Sequence, residues 1–169
     1  MHLLGVDIGG TGIKAAIVNS KTGQLVSERH RIATPQPATP QSVAATLKKM
    51  VEHFAWQGPI GCGFPATVTH GVAQTASNID KSWIGTNVEA LFAEFTDCPC
   101  YVVNDADAAG MAEMDFGAGL GHKGVVVIIT VGTGLGSAVF VNGELLPNTE
   151  FGHIILDGQV AEHVARAVG

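Results

Sequence analysis

The chain has 169 residues, of which 46% are hydrophobic and 14% are charged, and its formal net charge at pH 7 is −6. These values exclude a disordered chain and predict a globular protein of one ordinary domain or two small ones. The acidic balance gives no indication of a nucleic-acid partner, no apolar stretch approaches the about 18 residues of a membrane span, and the N-terminus lacks the basic segment of a signal peptide. The sparse cysteines are odd in number, which predicts reduced thiols and a cytoplasmic protein: Cys62, Cys98 and Cys100.

The first predicted element is a glycine-rich hairpin, "VDIGGTGIKAAIVN", which follows neither the mononucleotide nor the dinucleotide loop pattern. Both of those loops lead into a helix, whereas β-branched residues follow here, so we predict strands at about residues 3–8, 13–19 and 24–32. Backbone N–H groups at such a tip can bind an anion, and Lys14 adds a positive charge. Asp7 would repel phosphate unless a cation lay between them, which suggests Mg²⁺ held through water. The alternative is a plain hairpin whose glycines only make the turn.

A second segment, residues 128–146, has the same order of strand, glycine-rich tip, strand and turn. A shift of 123 residues aligns Gly9, Ala15, Val18 and Asn19 with Gly132, Ala138, Val141 and Asn142. This spacing favours an internal repeat, with two related phosphate-binding hairpins that face one ligand across a cleft. The alternative is that two unrelated hairpins share the spacing by chance.

The region between the two hairpins alternates helices and strands. Thr39 and Pro40 close a proline-rich connector and are typical of a helix start, and Asn87 is a candidate N-cap. Periodicity predicts helix, strand, helix, strand and helix at about residues 41–56, 60–64, 87–95, 100–104 and 108–116. This order predicts an α/β protein with a mixed sheet flanked by helices, and a domain break near residues 104–118.

Two polar clusters are candidates for chemistry. Asn104 and Asp105 stand where a strand ends and a helix begins, a common position for ligand groups. A kinase acting on an alcohol needs a carboxylate to accept the hydroxyl proton, and Asp105 or Asp107 could do so. The alternative is that one or both of them only cap the helix. Glu150 and His153 could together grip neighbouring sugar hydroxyls, although such a pair after a turn is more often a solvated surface feature.

Five segments together resemble the ROK family of sugar kinases, within the actin-like ATPase and hexokinase superfamily: "DIGGTGIK", "GFPATV", "NDADAAGMAE", "TVGTGLGSA" and "EFGH". The resemblance implies an α/β fold of the actin-like, hexokinase (ribonuclease H-like) type, with a first domain over residues 1–104 and an incomplete second domain over residues 105–169. Within this family "TPQPATP" and "SNIDKSWIGTN" are most similar to polyphosphate glucokinases. That similarity implies glucose as acceptor, polyphosphate or ATP as donor, Mg²⁺ and a homodimer.

The resemblance also implies roles for individual residues, with Asp105 as the general base and Asp107 as the helix cap. The donor-binding residues would be Gly9, Gly10, Thr11, Gly12, Lys14, Gly132, Thr133 and Gly134. The sugar-binding residues would be Asn78, Asn104, Asp105, Glu150, His153 and Glu162. No zinc is expected, because no cysteine follows Cys100, whereas many members of the family carry a cysteine-rich zinc motif after the histidine.

The chain ends where members of the family continue, so we expect one face of the second-domain sheet to lack its helical cover and to expose an apolar surface. Three other functions fit the resemblance less closely. They are a hexose kinase that uses ATP alone, a sugar-responsive repressor, which would carry a DNA-binding module before the first strand, and a non-catalytic fragment or assembly module.

Overall fold

A computed structural model describes residues 1–77, 79–131, 134–156 and 158–161. The chain divides into two compact units, Met1–Asp105 and Ala106–Gly169. Four predicted site residues lie outside the described residues: Asn78, Gly132, Thr133 and Glu162. Among the described helices, none is both long and apolar enough to span a bilayer.

The first unit combines a mixed sheet with two helices. Its strands are β1 (His2–Ile8), β2 (Gly12–Asn19), β3 (His30–Ala33), β4 (Ile60–Phe64), β5 (Val68–Thr69), β6 (Val72–Ala73) and β7 (Cys100–Asn104), and its helices are α1 (Pro40–His53) and α2 (Val88–Thr96). Five strands form one sheet in the order β3-β2-β1-β4-β7. β1 pairs with β2, and β2 with β3, in antiparallel fashion, whereas β1, β4 and β7 run parallel.

The predicted glycine-rich hairpin is confirmed, but the predicted third strand is wrong over its first half. β3 begins at His30 instead of about residue 24. The Ile17 amide donates to the Ser27 hydroxyl over 2.9 Å, instead of to a backbone carbonyl of the neighbouring strand. Leu25 and Val26 are exposed, and this segment keeps only an isolated antiparallel bridge to β2, between Val18 and Leu25, with the Val26 amide donating to the Ile17 carbonyl over 2.7 Å. The Ser27 side chain thus replaces one backbone hydrogen bond between the strands, and β3 begins later in the chain than predicted.

The two helix starts in this unit follow the predicted caps. Thr39 Oγ1 accepts from the Ser42 amide over 3.3 Å at the start of α1, and Asn87 Oδ1 accepts from the Ala90 amide over 2.9 Å at the start of α2. The predicted end of α1 near residue 56 is too late, because the helix ends at His53 and Ala55 adopts a left-handed φ of 45°. The capping side chains therefore predict where these helices start more accurately than the apolar pattern predicts where α1 ends.

The core of the first unit contains a cluster of aromatic rings. Trp83 packs edge-on against Phe64 and Phe92, with ring centroids 4.7 and 5.9 Å away. Its indole Nε1 donates to the Ala38 carbonyl over 2.9 Å, which satisfies the one polar atom of a fully buried side chain. This bond ties the "SNIDKSW" segment to the proline-rich connector before α1.

The described part of the second unit contains a helix, a three-stranded antiparallel sheet and a short strand pair. Its elements are α3 (Asp105–Phe116), β8 (Val125–Val131), β9 (Leu135–Val141), β10 (Glu144–Leu146), β11 (Ile155–Leu156) and β12 (Gln159–Val160). The main sheet has the order β10-β9-β8, and β11 pairs with β12. The predicted start of α3 at about residue 108 is wrong, since the helix follows β7 directly at Asp105.

The second hairpin repeats the first with one difference at its tip. The shift of 123 residues holds for the second strand of each hairpin, where Ala15 and Ala138 are both buried. For the first strand of each hairpin the shift is 122. Ile8 pairs with Ile13 in the first hairpin, whereas Thr130 pairs with Gly136, the residue that corresponds to Ile13, in the second. The second tip is therefore one residue longer.

The expected apolar surface is present on β8. Val125, Val127, Ile129 and Val131 alternate along one side of the strand and are 69%, 49%, 47% and 59% exposed. Their alternate neighbours are half-buried on the side that packs with Met114 of α3. β8 thus presents one packed face and one bare β-branched face.

Candidate active site

Three candidate segments meet at one edge of the first-unit sheet. The parallel strands β1, β4 and β7 end at the same edge, and they are followed by the glycine tip, the "PAT" loop and Asp105. Asp7 pairs with Gly63, and Gly63 pairs with Val103, so Asp7 lies level with a residue two positions before Asp105. With neighbouring strands about 4.8 Å apart, β1 and β7 are about 10 Å apart at this level. The carboxyl edge of parallel strands is the usual place for a ligand in α/β folds.

The carbonyl groups of the glycine tip are bound by protein groups. The Gly9 carbonyl accepts from Thr34 Oγ1 over 2.5 Å, and the Thr11 carbonyl accepts from Arg31 Nη2 over 2.8 Å. The Gly12 carbonyl accepts from the Gly9 amide over 3.1 Å. Three tip carbonyls are thus held in place, two of them by side chains on or just after β3.

The tip amides are the groups that remain for a ligand. Among the described residues, the N–H groups of Gly10 and Thr11 have no hydrogen-bond partner. Successive free amides in a turn form an anion-binding concavity without needing a helix dipole. Phosphate binding by this tip stays a prediction, for which these two amides are suitable donors.

Asp7 and Lys14 form an ion pair beside the tip. They are directly opposite each other on β1 and β2, and Lys14 Nζ lies 3.1 Å from Asp7 Oδ2. Both side chains are about half exposed, at 54% for Asp7 and 50% for Lys14. Within the described ranges, no three His, Cys, Asp or Glu side chains are grouped to hold a metal ion. One carboxylate fits Mg²⁺ only if the donor's phosphates and water supply the other ligands, which is the usual arrangement for this ion.

Asn104 and Asp105 differ in their environment, although they are neighbours. Asn104 is buried at the end of β7, and its Nδ2 donates to the Ala66 carbonyl in the loop after β4 over 3.2 Å. Asp105 is the first residue of α3 and its side chain is exposed. Asn104 thus joins two of the segments that carry the family resemblance, "GFPATV" and "NDADAAGMAE", and Asp105 lies at the exposed start of α3.

Asp107 does not stand at the helix cap as predicted. α3 begins two residues before it, and the carboxylate is buried, with 2% of the side chain exposed. Its Oδ2 accepts from the Asn148 amide over 2.8 Å. Burial raises the pKa of Asp107, and the Asn148 N–H opposes part of that rise. Asp107 therefore anchors the loop after β10 within the second unit.

Glu150 and His153 are brought together by a short 3-10 turn over Phe151–His153. His153 Nδ1 lies 3.5 Å from Glu150 Oε2, and both side chains are more than one third exposed. Gly152 between them is buried, and a Cβ there would collide with the Leu135 carbonyl oxygen of β9. The close packing of Gly152 fixes the turn that orients the pair.

Ser77, Ile79 and Asp80 lie near the glycine tip, since they line a cavity together with Gly10. This cavity of about 240 Å³ is lined by Gly10, Ala38 and Asp80, among others. Asp80 Oδ1 accepts from both the amide and the hydroxyl of Ser82, and these bonds lower the pKa of its carboxyl group. The cavity thus lies beside the Gly10 end of the tip and has the Asp80 carboxylate on its wall.

Sequence reasoning missed two residues that support the tip, Arg31 and Thr34. They follow Thr11 and Gly9 by 20 and 25 residues and reach the tip only because β3 pairs with β2. The predicted third strand was a signal that this segment pairs with β2, but its register would have placed Arg29 opposite Lys14. The observed register shifts by two residues between the Val18–Leu25 bridge and the Lys14–Arg31 pair. Of the second tip, only Gly134 lies within the described residues.

Solved structures share this fold. An inorganic polyphosphate/ATP-glucomannokinase from Arthrobacter sp. strain KM superposes with a TM-score of 0.94 at 48% identity, over 98% of this chain and 68% of that one. A ROK family glucokinase from Streptomyces griseus, solved with glucose and AMPPNP, has a TM-score of 0.80 at 33% identity, over 91% of this chain and 50% of that one. The chain therefore has the actin-like fold of the hexokinase type that these sugar kinases share.

The family follows from the sequence comparisons. The model of the ROK family matches residues 3–165. A polyphosphate glucokinase of Mycobacterium tuberculosis is 53% identical over 165 residues, which are 97% of this chain and 62% of that relative. The chain belongs to the ROK family, and it spans about three fifths of the length of this relative.

Proposed function

We propose that the protein carrying this chain is a kinase that transfers the terminal phosphoryl group of inorganic polyphosphate or ATP to the 6-hydroxyl of glucose. The observation that carries the proposal is the 53% identity to a polyphosphate glucokinase across 97% of the chain. The arrangement at the sheet edge supports it, since an anion-binding tip and an exposed carboxylate follow strands of the same sheet.

On the acceptor side, Asp105 is the proposed general base. Its exposed carboxylate accepts the proton of the 6-hydroxyl as that oxygen attacks the terminal phosphorus. Asn104, Glu150 and His153 are the proposed sugar ligands, with Asn78 and Glu162 completing the set. A carboxylate and an imidazole suit adjacent sugar hydroxyls, because one accepts hydrogen bonds and the other can also donate.

On the donor side, the free amides of Gly10 and Thr11 bind phosphoryl oxygens, and Lys14 adds a positive charge. Gly9 and Gly12 shape this tip, and Gly132, Thr133 and Gly134 are the proposed second tip. Fixed donors stabilise charge that develops in the transition state without having to reorganise. Mg²⁺ near Asp7 would neutralise charge on the donor's phosphates.

The test is an assay of glucose 6-phosphate formation with Asp105→Asn in the protein that carries this chain. We expect turnover to fall by about 10²–10⁴-fold, the usual effect of losing a general base. Asp115→Asn is the matched control, because it removes the same charge from an exposed position later on α3 and should keep full activity. Normal turnover in Asp105→Asn with an unchanged melting temperature would reject Asp105 as the base.

The donor is decided by running the same assay with polyphosphate and with ATP separately. Product with both donors, or with polyphosphate alone, supports the proposal. Product with ATP alone would replace it by the narrower ATP-dependent hexose kinase. No glucose 6-phosphate with either donor would reject the proposed function.

Assembly and compartment belong to the same proposal. We propose a homodimer, which light scattering measures directly. We also propose a cytoplasmic location, which is supported by three cysteines that are free and buried. Burial is the main cause that raises the pKa of Cys100 to about 11, so this thiol stays protonated and unreactive.

A further inference from the structure

We propose that Arg31 and Lys14 form a second phosphate-binding position behind the glycine tip, which binds inner phosphates of a polyphosphate chain. The inference rests on the proposed function and specifies how the longer donor is held. It is carried by the contacts of Arg31, a residue outside the glycine-rich segment.

The first observation is where the Arg31 side chain lies. Its Nη2 donates to the Thr11 carbonyl over 2.8 Å. A Cβ on Gly12 would collide with the guanidinium group, so this group lies flat against the backbone of the tip. Its other N–H donors make no hydrogen bond among the described residues, and the side chain is exposed. A planar guanidinium with donors to spare is well suited to bind phosphate through two parallel bonds.

The second observation is an unbalanced row of charges. Lys14 on β2 pairs with Asp7 on one side and with Arg31 on the other. Directly opposite residues of antiparallel strands point to the same face, and two like charges in that position destabilise the sheet. Asp7 neutralises one of the two cations, which leaves a net positive charge beside the tip of a chain whose net charge is −6. A bound anion would remove this repulsion.

The third observation is the order of the strands. Arg31 lies on β3, at the opposite edge of the sheet from β7, after which Asp105 follows. The Arg31 guanidinium reaches back to Gly12 at the start of β2, which is three strand spacings, or about 14 Å, from β7. A donor whose reacting end is beside Asp105 must span that distance to reach the guanidinium, which a chain of many phosphates does more readily than a triphosphate. The position therefore favours a linear polyphosphate over a nucleotide.

The experiment measures binding to the protein that carries this chain by titration calorimetry over a series of KCl concentrations, with medium-chain inorganic polyphosphate and inorganic triphosphate as probes. We expect Arg31→Gln to weaken polyphosphate binding by about tenfold, as for the loss of a charge-assisted hydrogen bond. The slope of log affinity against log salt should fall by about one, because one fewer counterion is released. Triphosphate binding should change much less.

Two further variants separate charge from position. Lys21→Gln removes one exposed charge from the turn after β2, at the far end of the hairpin, and should leave polyphosphate affinity close to that of the unmodified chain. Gly12→Ala keeps every charge but displaces the guanidinium, so polyphosphate affinity should fall. Melting temperatures establish that each variant folds. If Arg31→Gln does not, Arg31→Lys replaces it; because lysine keeps the charge but lacks the planar guanidinium, polyphosphate affinity should then fall while the salt slope stays the same.

The outcomes are distinct from those of the kinase assay. Unchanged polyphosphate affinity and salt slope in Arg31→Gln would overturn the site, even in a protein that phosphorylates glucose. An equal loss for triphosphate would also overturn it, because Arg31 would then act only through the tip. A selective loss of polyphosphate affinity would support the site, even in a protein that forms no glucose 6-phosphate.

Discussion

Asp107 shows how strongly a single side chain depends on its surroundings. It stands two residues from the exposed Asp105, yet only 2% of its surface is accessible. Its bond to the Asn148 amide joins the first turn of α3 to the loop that leads to Glu150. Two neighbouring carboxylates therefore have different tasks, one in anchoring a loop and one in the proposed proton transfer.

Replacing Asp107 by Asn should change how stability depends on pH. The folded pKa of Asp107 is raised above its ordinary value of 3.8, mainly by burial, so the unfolded chain ionises first as the pH rises. The stability contributed by the protonated carboxyl is complete below that ordinary value and is lost as the pH rises through the folded pKa. Asp107→Asn does not titrate, so its melting temperature should gain on the unmodified chain over this window.

Thermal melts of both proteins across a pH series that brackets the ordinary carboxyl pKa give the measurement. Asp115→Asn, at an exposed position of the same helix, should show no such gain. A difference between Asp107→Asn and the unmodified chain that stays constant with pH would show that the raised pKa is wrong.

The 3-10 turn Phe151–His153 is the element that presents the Glu150 and His153 pair. The Phe151 amide donates to Ser137 Oγ over 2.9 Å, and Ser137 Oγ in turn donates to the Thr149 carbonyl. Together with the packing of Gly152 on Leu135, these bonds dock the turn onto β9. A short turn with little structure of its own thus derives its geometry from a neighbouring strand.

Gly152→Ala should therefore loosen the turn. The new Cβ would meet a backbone carbonyl of β9, which has little freedom to move, so we expect a loss of about 1–3 kcal/mol in the free energy of unfolding. Gly61→Ala is a suitable control, because its Cβ would make only an ordinary 3.8 Å contact with Leu3 Cδ1. Urea denaturation of both variants tests this, and equal stability of the two would contradict the proposed packing of Gly152.

Elements that depend on nearby residues could be predicted from the sequence. The caps Thr39 and Asn87 act within three residues of themselves, and the first hairpin is determined by its own glycines and β-branched residues. The late start of β3 depends instead on Ser27 replacing a carbonyl partner of Ile17. Such a substitution leaves no trace in the hydrophobic pattern.

The candidate site likewise contains some features that the sequence predicts and others that it does not. The tip itself could be predicted from its glycines, but its supports Arg31 and Thr34 act across 20 and 25 residues. The environment of Asp107 depends on Asn148, which is 41 residues away. Contacts of this kind require the register of the strands, and local patterns do not contain that information.

For the molecule as a whole, the exposed apolar side of β8 is the feature that most favours association with other chains. β8 is an edge strand in the sheet of the described residues, and its outward side chains are all β-branched. Exposed, apolar edge strands pair readily with other chains. The chain on its own should therefore associate as its concentration rises.

Val127→Lys should reduce this association, since a charge on an exposed edge strand opposes pairing. The side chain is 49% exposed, so the melting temperature should change little. Light scattering over a range of concentrations measures the effect, with Val139→Ala as a contrasting variant that removes a buried side chain of the neighbouring strand β9 and lowers stability. Identical scattering by Val127→Lys and the unmodified chain would show that β8 is not the contact.

The buried indole of Trp83 has an optical consequence. The chain has two tryptophans, Trp56 and Trp83, and both belong to the first unit. Tryptophan emission therefore reports on that unit alone, whereas circular dichroism reports on both, so the two signals should separate if the units unfold independently. Because Trp83 is hydrogen-bonded to Ala38, which lines the cavity beside the tip, its emission also offers a label-free signal for a ligand that enters there.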